Sequence, residues 1–138
     1  MRELNEIIIH STATPKGMNV GVKNIDLWHK NRGFDCIGYH YVVKLSGVIE
    51  KGRPDEIAGA HCKYRNAKSI GVCYVGGIGT NGEPQDTRTQ AQKFALENLL
   101  KELLKKYPTI KKITSHCDYH DTACPSFNAT EEYKKLLK

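Results

Sequence analysis

No apolar run in this 138-residue chain approaches the ~18 residues that a membrane-spanning helix requires. The first strongly apolar stretch, Ile7-Ile8-Ile9, is three residues long. The ~7–15-residue apolar segment of a secretory signal is also missing, so the expectation is a chain made in the cytoplasm without a signal peptide. No Cys-x-x-Cys pair occurs, and the five cysteines (Cys36, Cys62, Cys73, Cys117 and Cys124) are odd in number. That argues against a disulfide framework and a zinc-finger knuckle and fits a reducing compartment. There is no internal repeat, low-complexity segment or linker. Nor does any run alternate Lys or Arg with aromatics as a base-stacking surface would.

What is present is a globular composition, 26% charged and 39% hydrophobic, in a chain of one-domain length, residues 1–138. Lys and Arg number 21 against 15 Asp and Glu, a net charge of +6. This balance suits an anionic partner (nucleic acid, an acidic membrane surface or a wall polymer) without choosing among them. Basic residues run from Arg2 to Lys138, and the tightest group, Lys101, Lys105, Lys106, Lys111 and Lys112, reads as the solvated face of a helix and its exit.

Glu6 to His10 reads as a buried strand ending in a polar loop that Pro15 enforces. Lys23 or Asn24 to Lys30 reads as a helix with Ile25, Trp28 and Leu27 inward, stopped by Gly33. Gly38 to Lys44 alternates as a strand and pairs, through Ser46-Gly47, with residues 48–51. Residues 52–66 lack periodicity and read as a surface loop. Ser69 to Val75 is a second apolar strand. Thr89 opens the longest helix, to about Lys106, with Phe94, Leu96, Leu99, Leu100, Leu103 and Leu104 as its inner stripe, and Pro108 forbids continuation. Lys112 to Ser115 is a short strand delivering His116. A final helix begins at Thr130, capped by Asn128 or Thr130, with Tyr133, Leu136 and Leu137 inward. The pattern predicts an α/β fold: a central mixed β-sheet flanked by helices on both faces.

Two histidines, His10 and His116, each follow a predicted strand, and Cys124 lies eight residues beyond His116. Two imidazoles and a thiolate make a three-ligand set with one position left open, the pattern of catalytic rather than structural zinc. On spacing alone, both histidines serve equally as hydrogen-bonded strand ends, and Cys124 as packing behind Pro125. His120, in the same loop, is a rival ligand. His29 reads as a surface or cap residue, and His40 as structural or as support for a ligand.

Taken together and in order, Ile8-Ile9-His10-Ser11-Thr12-Ala13-Thr14, Gly38-Tyr39-His40-Tyr41, Asn66 with Ser69-Ile70-Gly71-Val72-Cys73, His116-Cys117-Asp118 and Ala123-Cys124-Pro125-Ser126-Phe127 resemble the zinc-dependent N-acetylmuramoyl-L-alanine amidases. That family includes the amidase-type phage lysozymes and the peptidoglycan recognition proteins. The resemblance covers nearly the whole chain. It is similar in particular to the compact phage enzymes, through Gly71-Val72-Cys73-Tyr74-Val75-Gly76-Gly77-Ile78.

The resemblance implies one zinc ion on His10, His116 and Cys124, and Tyr39 as the active-site tyrosine. It implies cleavage of the amide between N-acetylmuramic acid and the L-alanine of the peptidoglycan stem peptide. Zinc makes such an amide cleavable by activating water and polarising the carbonyl, and Tyr39 would donate to the oxygen that gains charge. Thr122 stands where phage members of the family tend to carry lysine and where other members, catalytic recognition proteins among them, carry threonine. Its hydroxyl can donate a hydrogen bond but supplies no charge, so Thr122 is a candidate catalytic residue whose role differs from that of the lysine. Asp118 is placed to orient a ligand or to fix the loop. His61 and Asn66 fall in the segment that borders the family's substrate groove and are candidate substrate contacts, with Arg53, Lys63 and Arg65 adding charge nearby.

The expected role is a monomeric, phage-type endolysin, made in the cytoplasm and acting on the bacterial wall after release, with peptidoglycan as partner, no nucleic acid and no membrane span. A non-catalytic peptidoglycan-binding module of the same fold is the alternative, and retention of Cys124 beside both histidines favours catalysis. A small basic nucleic-acid-binding domain rests on the charge alone.

Overall fold

The computed structural model describes residues 1–137; Lys138, the last of the basic residues counted above, lies outside them. Among the described residues, seven strands and three α-helices follow one another as β1 (Glu6–Ser11), β2 (Thr14–Pro15), α1 (Val22–Asn31), β3 (Tyr41–Val43), β4 (Ile49–Lys51), β5 (Ser69–Tyr74), β6 (Gly77–Ile78), α2 (Gln90–Lys106), β7 (Lys112–Ser115) and α3 (Ala129–Glu132). The main sheet has the order β4-β3-β5-β1-β7, and β2 and β6 form a separate two-stranded ribbon. In the main sheet β1 is parallel to both β5 and β7, and only the β3–β4 hairpin is antiparallel. The sheet is therefore mixed, as predicted, and the parallel strands β1 and β7 end on the same edge.

Helices cover both faces. On one face Ile7 and Ile9 of β1, Ile70, Val72 and Tyr74 of β5, Val43 and Ile113 pack with Leu96, Leu99, Leu100 and Leu103 of α2. On the other, Val42 and Val75 pack with Val20, Ile25 and Ile37 beside α1. Fully burying an Ile or Leu side chain is worth about 1.5–3 kcal/mol, so the contiguous aliphatic residues of β1 suit its place inside the sheet between β5 and β7, covered on both faces.

Thr89 caps α2: its hydroxyl accepts from the Gln92 N–H at 3.0 Å, and the Gln92 side chain accepts from the Thr89 N–H at 2.9 Å. Gln92, fully buried, also donates to the carbonyls of Val43 and Val75. The helix is thus pinned to the sheet by a polar side chain that hydrophobic periodicity passes over.

Five expectations are corrected. Phe94 is 72% exposed, because it lies two residues, some 200° of helical rotation, from both Gln92 and Leu96, which face the sheet. On α1 the inward positions are Ile25 and His29, one turn apart, while Leu27 and Trp28 face outward. His29 is buried, its Nδ1 accepting the Gly38 N–H at 2.8 Å. The extended run from Gly38 narrows to β3 as a regular strand, since Gly38 and His40 pair with Ala60, Gly52 and Gly71 instead. Residues 52–66 do not simply run over the surface, because Asp55, Gly59, His61 and Cys62 are buried within them.

Asp55 anchors that segment. Its carboxylate accepts from the Tyr41 hydroxyl (2.8 Å), the Tyr107 hydroxyl (2.6 Å) and Lys51 Nζ (2.6 Å). Burial alone would raise this carboxyl, but the hydrogen bonds from Lys51, Tyr107 and Tyr41 outweigh it and hold its pKa below the ordinary value. A carboxyl depressed in the folded state contributes stability above its unfolded pKa and loses it as pH falls through its folded pKa. Asp55→Asn is expected to cost about 1–3 kcal/mol in denaturant unfolding at neutral pH. It should also flatten the fall in stability between about pH 5 and pH 2. An unchanged acid limb would show that another carboxylate carries it.

Candidate metal centre and active site

His10 occupies the penultimate position of β1, opposite Cys73 of β5, and His116 follows β7 directly. Parallel neighbours present their carboxyl ends together, the usual location of ligand sites in α/β sheets. Cys124 arrives from a loop that is tied down at several points. The Cys117 N–H donates to its carbonyl (2.9 Å), the Tyr74 hydroxyl donates to the Pro125 carbonyl (2.6 Å), and Ser126 Oγ donates to the Gly77 carbonyl (3.0 Å). Its sulfur accepts the Ser11 N–H at 3.1 Å and lies 3.9 Å from His10 Nδ1. One donor atom from each of His10, His116 and Cys124 falls within 4.8 Å of the others.

Hydrogen bonds fix how His10 presents itself. His10 Nε2 lies 2.9 Å from His61 Nδ1, His61 Nε2 lies 3.3 Å from Ser69 Oγ, and Ser69 Oγ donates to the Arg65 carbonyl at 2.8 Å. A carbonyl can only accept, so the chain runs one way. Ser69 gives its proton to Arg65, His61 donates to Ser69, and His10 Nε2–H donates to His61. His10 Nδ1 is left with its lone pair turned toward Cys124. His61 lies against Gly71 of β5 and against Gly59: a Cβ at either would come within 2.6 Å of the imidazole ring. Those two glycines make the space in which a second imidazole supports the first.

The electrostatics suit metal ligation. Desolvation, reinforced by His61 and His116, holds His10 well below its ordinary pKa, and desolvation lowers His116 as well. Both therefore stay neutral, the form that can ligate. His116 Nδ1 is buried with no hydrogen-bond partner, one of two such side-chain atoms among the described residues. Burial pushes the Cys124 thiol up, although the Ser11 N–H opposes this; a bound cation would displace its proton outright. An unsatisfied buried nitrogen, a tautomer-locked imidazole and a sulfur at mutual ligand distance fit a zinc ion.

Tyr39 stacks at 5.1 Å from His10. Burial, with Cys73 and Cys124 nearby, raises its phenol well above 10, so the hydroxyl remains a proton donor. A concave pocket of about 380 Å³ adjoins the cluster, lined by Arg32, Phe34, Ala60, His61, Cys62, Lys63 and Asn66. A larger cavity of about 690 Å³ lies between the start of α1 and the β3–β4 hairpin and is lined by none of the three donors.

The other residues singled out in the sequence separate clearly once placed. Thr122 is exposed, and its hydroxyl accepts the Cys124 N–H at 3.3 Å, which steadies the loop. The Asn66 side chain accepts the N–H groups of His61 and Cys62 at 2.9 Å, holding the His61 backbone. Asp118 accepts from the Ser115 N–H and the Thr130 hydroxyl, fixing the turn after β7. His40 bonds Ile57, Arg2 and Gly71 and is structural. Arg53 is spent on backbone carbonyls and Arg65 on Glu6. Arg32, which the sequence does not single out, lines the pocket with Lys63. Only the folded arrangement reveals it, since it sits at the exit of α1.

Residues 1–127 match the N-acetylmuramoyl-L-alanine amidase family. The chain belongs to that family. Its relatives include the endolysin of Klebsiella phage KP32, 40% identical over 134 residues that make up 97% of this chain and 88% of the relative. The endolysin of Escherichia phage T7 is 40% identical over 129 residues, 94% of this chain and 85% of the relative. Among solved structures, N-acetylmuramoyl-L-alanine amidase LysC from Clostridium intestinale URNW superposes with a TM-score of 0.84 at 33% identity, covering 99% of this chain and 88% of that one. The chain is an amidase of the endolysin type, with peptidoglycan as its substrate. No helix among the described residues of this amidase is long and apolar enough to cross a membrane.

Proposed function

We propose that this amidase hydrolyses the bond between N-acetylmuramic acid and the L-alanine of the stem peptide with one zinc ion held by His10, His116 and Cys124. The observation that carries the reading is the convergence of these three donors, one from β1 and two from the stretch after β7, to within 4.8 Å. When bound, the ion supplies Lewis acidity that activates water and polarises the amide carbonyl. The chain's own residues do the rest. Tyr39 donates to the oxygen that gains charge as the carbonyl carbon becomes tetrahedral. The His61–Ser69 pair holds His10 in the tautomer that offers Nδ1. Arg32 and Lys63 attract stem-peptide carboxylates into the adjoining pocket. Thr122 acts by shaping the Cys124 loop. The chain works as one domain and as a monomer, reaching the wall after release from the cell that makes it.

Metal analysis paired with mass spectrometry of digested peptidoglycan tests this. One zinc per chain, free stem peptides and intact glycan strands are expected; cut glycan strands would refute the bond assignment. A carboxylate or amide partner that orients a ligand histidine typically matters 10–100-fold in metal affinity. His61→Leu should therefore weaken zinc retention against a competing chelator by about that factor. His61→Asn, which keeps an acceptor for His10 Nε2, should restore most of it. Equal affinities in both variants would remove the orienting role.

A further inference from the structure

A second set of donors shares one residue with the first. Cys62, His116 and His120 also offer one ligand atom each within 4.8 Å of the others. Cys62 is buried and unoxidised at the end of the segment that carries His61. His116 is shared between the two sets, its ring lying 4.6 Å from that of His10 and 5.4 Å from that of His120. His120 Nε2 is 3.1 Å from the Lys63 carbonyl. As a carbonyl only accepts, that nitrogen carries the proton and Nδ1 keeps the lone pair. Metal-bound histidines are commonly locked in this way.

We propose that Cys62, His116 and His120 form a second, weaker site for a thiophilic divalent cation, so that zinc in excess inhibits the amidase by drawing His116 away from the hydrolytic set. The inference rests on the reading that His116 is a ligand of that set. A thiol and two imidazoles select zinc, cadmium or copper over magnesium or calcium. The site is the weaker one because, among the described residues, no hydrogen bond presents the Cys62 sulfur, whereas Cys124 Sγ accepts the Ser11 N–H at 3.1 Å; the Cys62 proton leaves to solvent as the sulfur binds. An imidazole can serve two cations at once only by giving up its N–H as well, which neutral pH disfavours. The two sites therefore compete for His116: the second cation takes it while the first stays on His10 and Cys124, and only this doubly loaded state grows as zinc is added.

Cadmium titration of the full-length apo chain, followed by thiolate-to-cadmium absorption, separates the two sulfurs. Cys36, Cys73 and Cys117 remain in every variant, so their contribution cancels. The wild type should show two steps, Cys62→Ser only the tighter one, and Cys124→Ser only the weaker. In parallel, His120→Ala and Cys62→Ser should raise the zinc concentration that half-inhibits hydrolysis at least about tenfold, each measured against its own uninhibited rate. His120 is partly exposed, so its variant keeps the question answerable if Cys62→Ser folds poorly. Titrations and inhibition curves like the wild type's in both variants would overturn the second site. Two undiminished steps in Cys124→Ser alone would leave the second site standing and overturn the hydrolytic ligand set instead.

Discussion

Cys124→Ser is expected to give a folded protein that no longer retains zinc through dialysis and hydrolyses peptidoglycan at least about 10³-fold more slowly. The magnitude follows from the several kcal/mol that a Lewis-acidic metal contributes to charge stabilisation, at 1.36 kcal/mol per tenfold in rate. A neutral hydroxyl is a poor zinc ligand beside a thiolate, whose charge and softness suit the ion. The fold should survive because the loop is held by groups other than the sulfur: the Cys117 N–H on the Cys124 carbonyl, the Tyr74 hydroxyl on Pro125 and Ser126 on Gly77. Metal content per chain and turnover on purified peptidoglycan are the measurements. A variant with full metal and full rate would eliminate Cys124 as a ligand.

Tyr39→Phe should separate the metal from the chemistry. The substitution deletes one hydroxyl from a ring centred 5.1 Å from that of His10 and leaves all three donors in place, so zinc content and affinity should match the wild type. The rate constant for hydrolysis should fall about 100-fold, the usual consequence of removing one donor to a developing oxyanion, with little change in KM. Because burial keeps the phenol protonated well past its ordinary range, the deficit should be constant through neutral pH. Loss of zinc together with activity would reassign Tyr39 to holding the site together. Undiminished turnover would leave it as packing against His10.

Much of the framework is legible in the residues alone. Thr89 announces the start of α2, and Pro108 lies two residues beyond its end. The strand Lys112–Ser115 has the same bounds in sequence and structure, because a short β-branched run between a proline turn and a polar loop admits few alternatives. Asn128, one of the two residues able to cap α3, accepts from the Glu131 N–H at its start. The departures have a common cause. Apolar character alone turns Phe94, Leu27 and Trp28 inward, whereas helical phase places Gln92 and His29 there, each with its hydrogen bonds satisfied. Periodicity counts hydrophobic residues and is blind to a polar side chain whose partners come from another strand.

The three donors can be picked out of the sequence as one possibility among several, but the residue that orients His10 cannot. An aperiodic segment beside a substrate groove points His61 toward substrate. Its neighbours in the fold, His10, Ser69 and the bare faces of Gly59 and Gly71, lie on β1, on β5 and within its own segment. Tertiary packing brings them together, and the alternation of small and large residues in Ser69–Tyr74 gives only a faint hint of it.

Local chemistry along the chain therefore determined the longer elements, several of their ends and the residue types able to bind a metal, since those depend on neighbours a few positions away. Which of six histidines and five cysteines lie together was decided by the strand order β5-β1-β7. Parallel pairing aligns strand ends regardless of sequence distance, and so brings Cys124 to His10 across 114 positions.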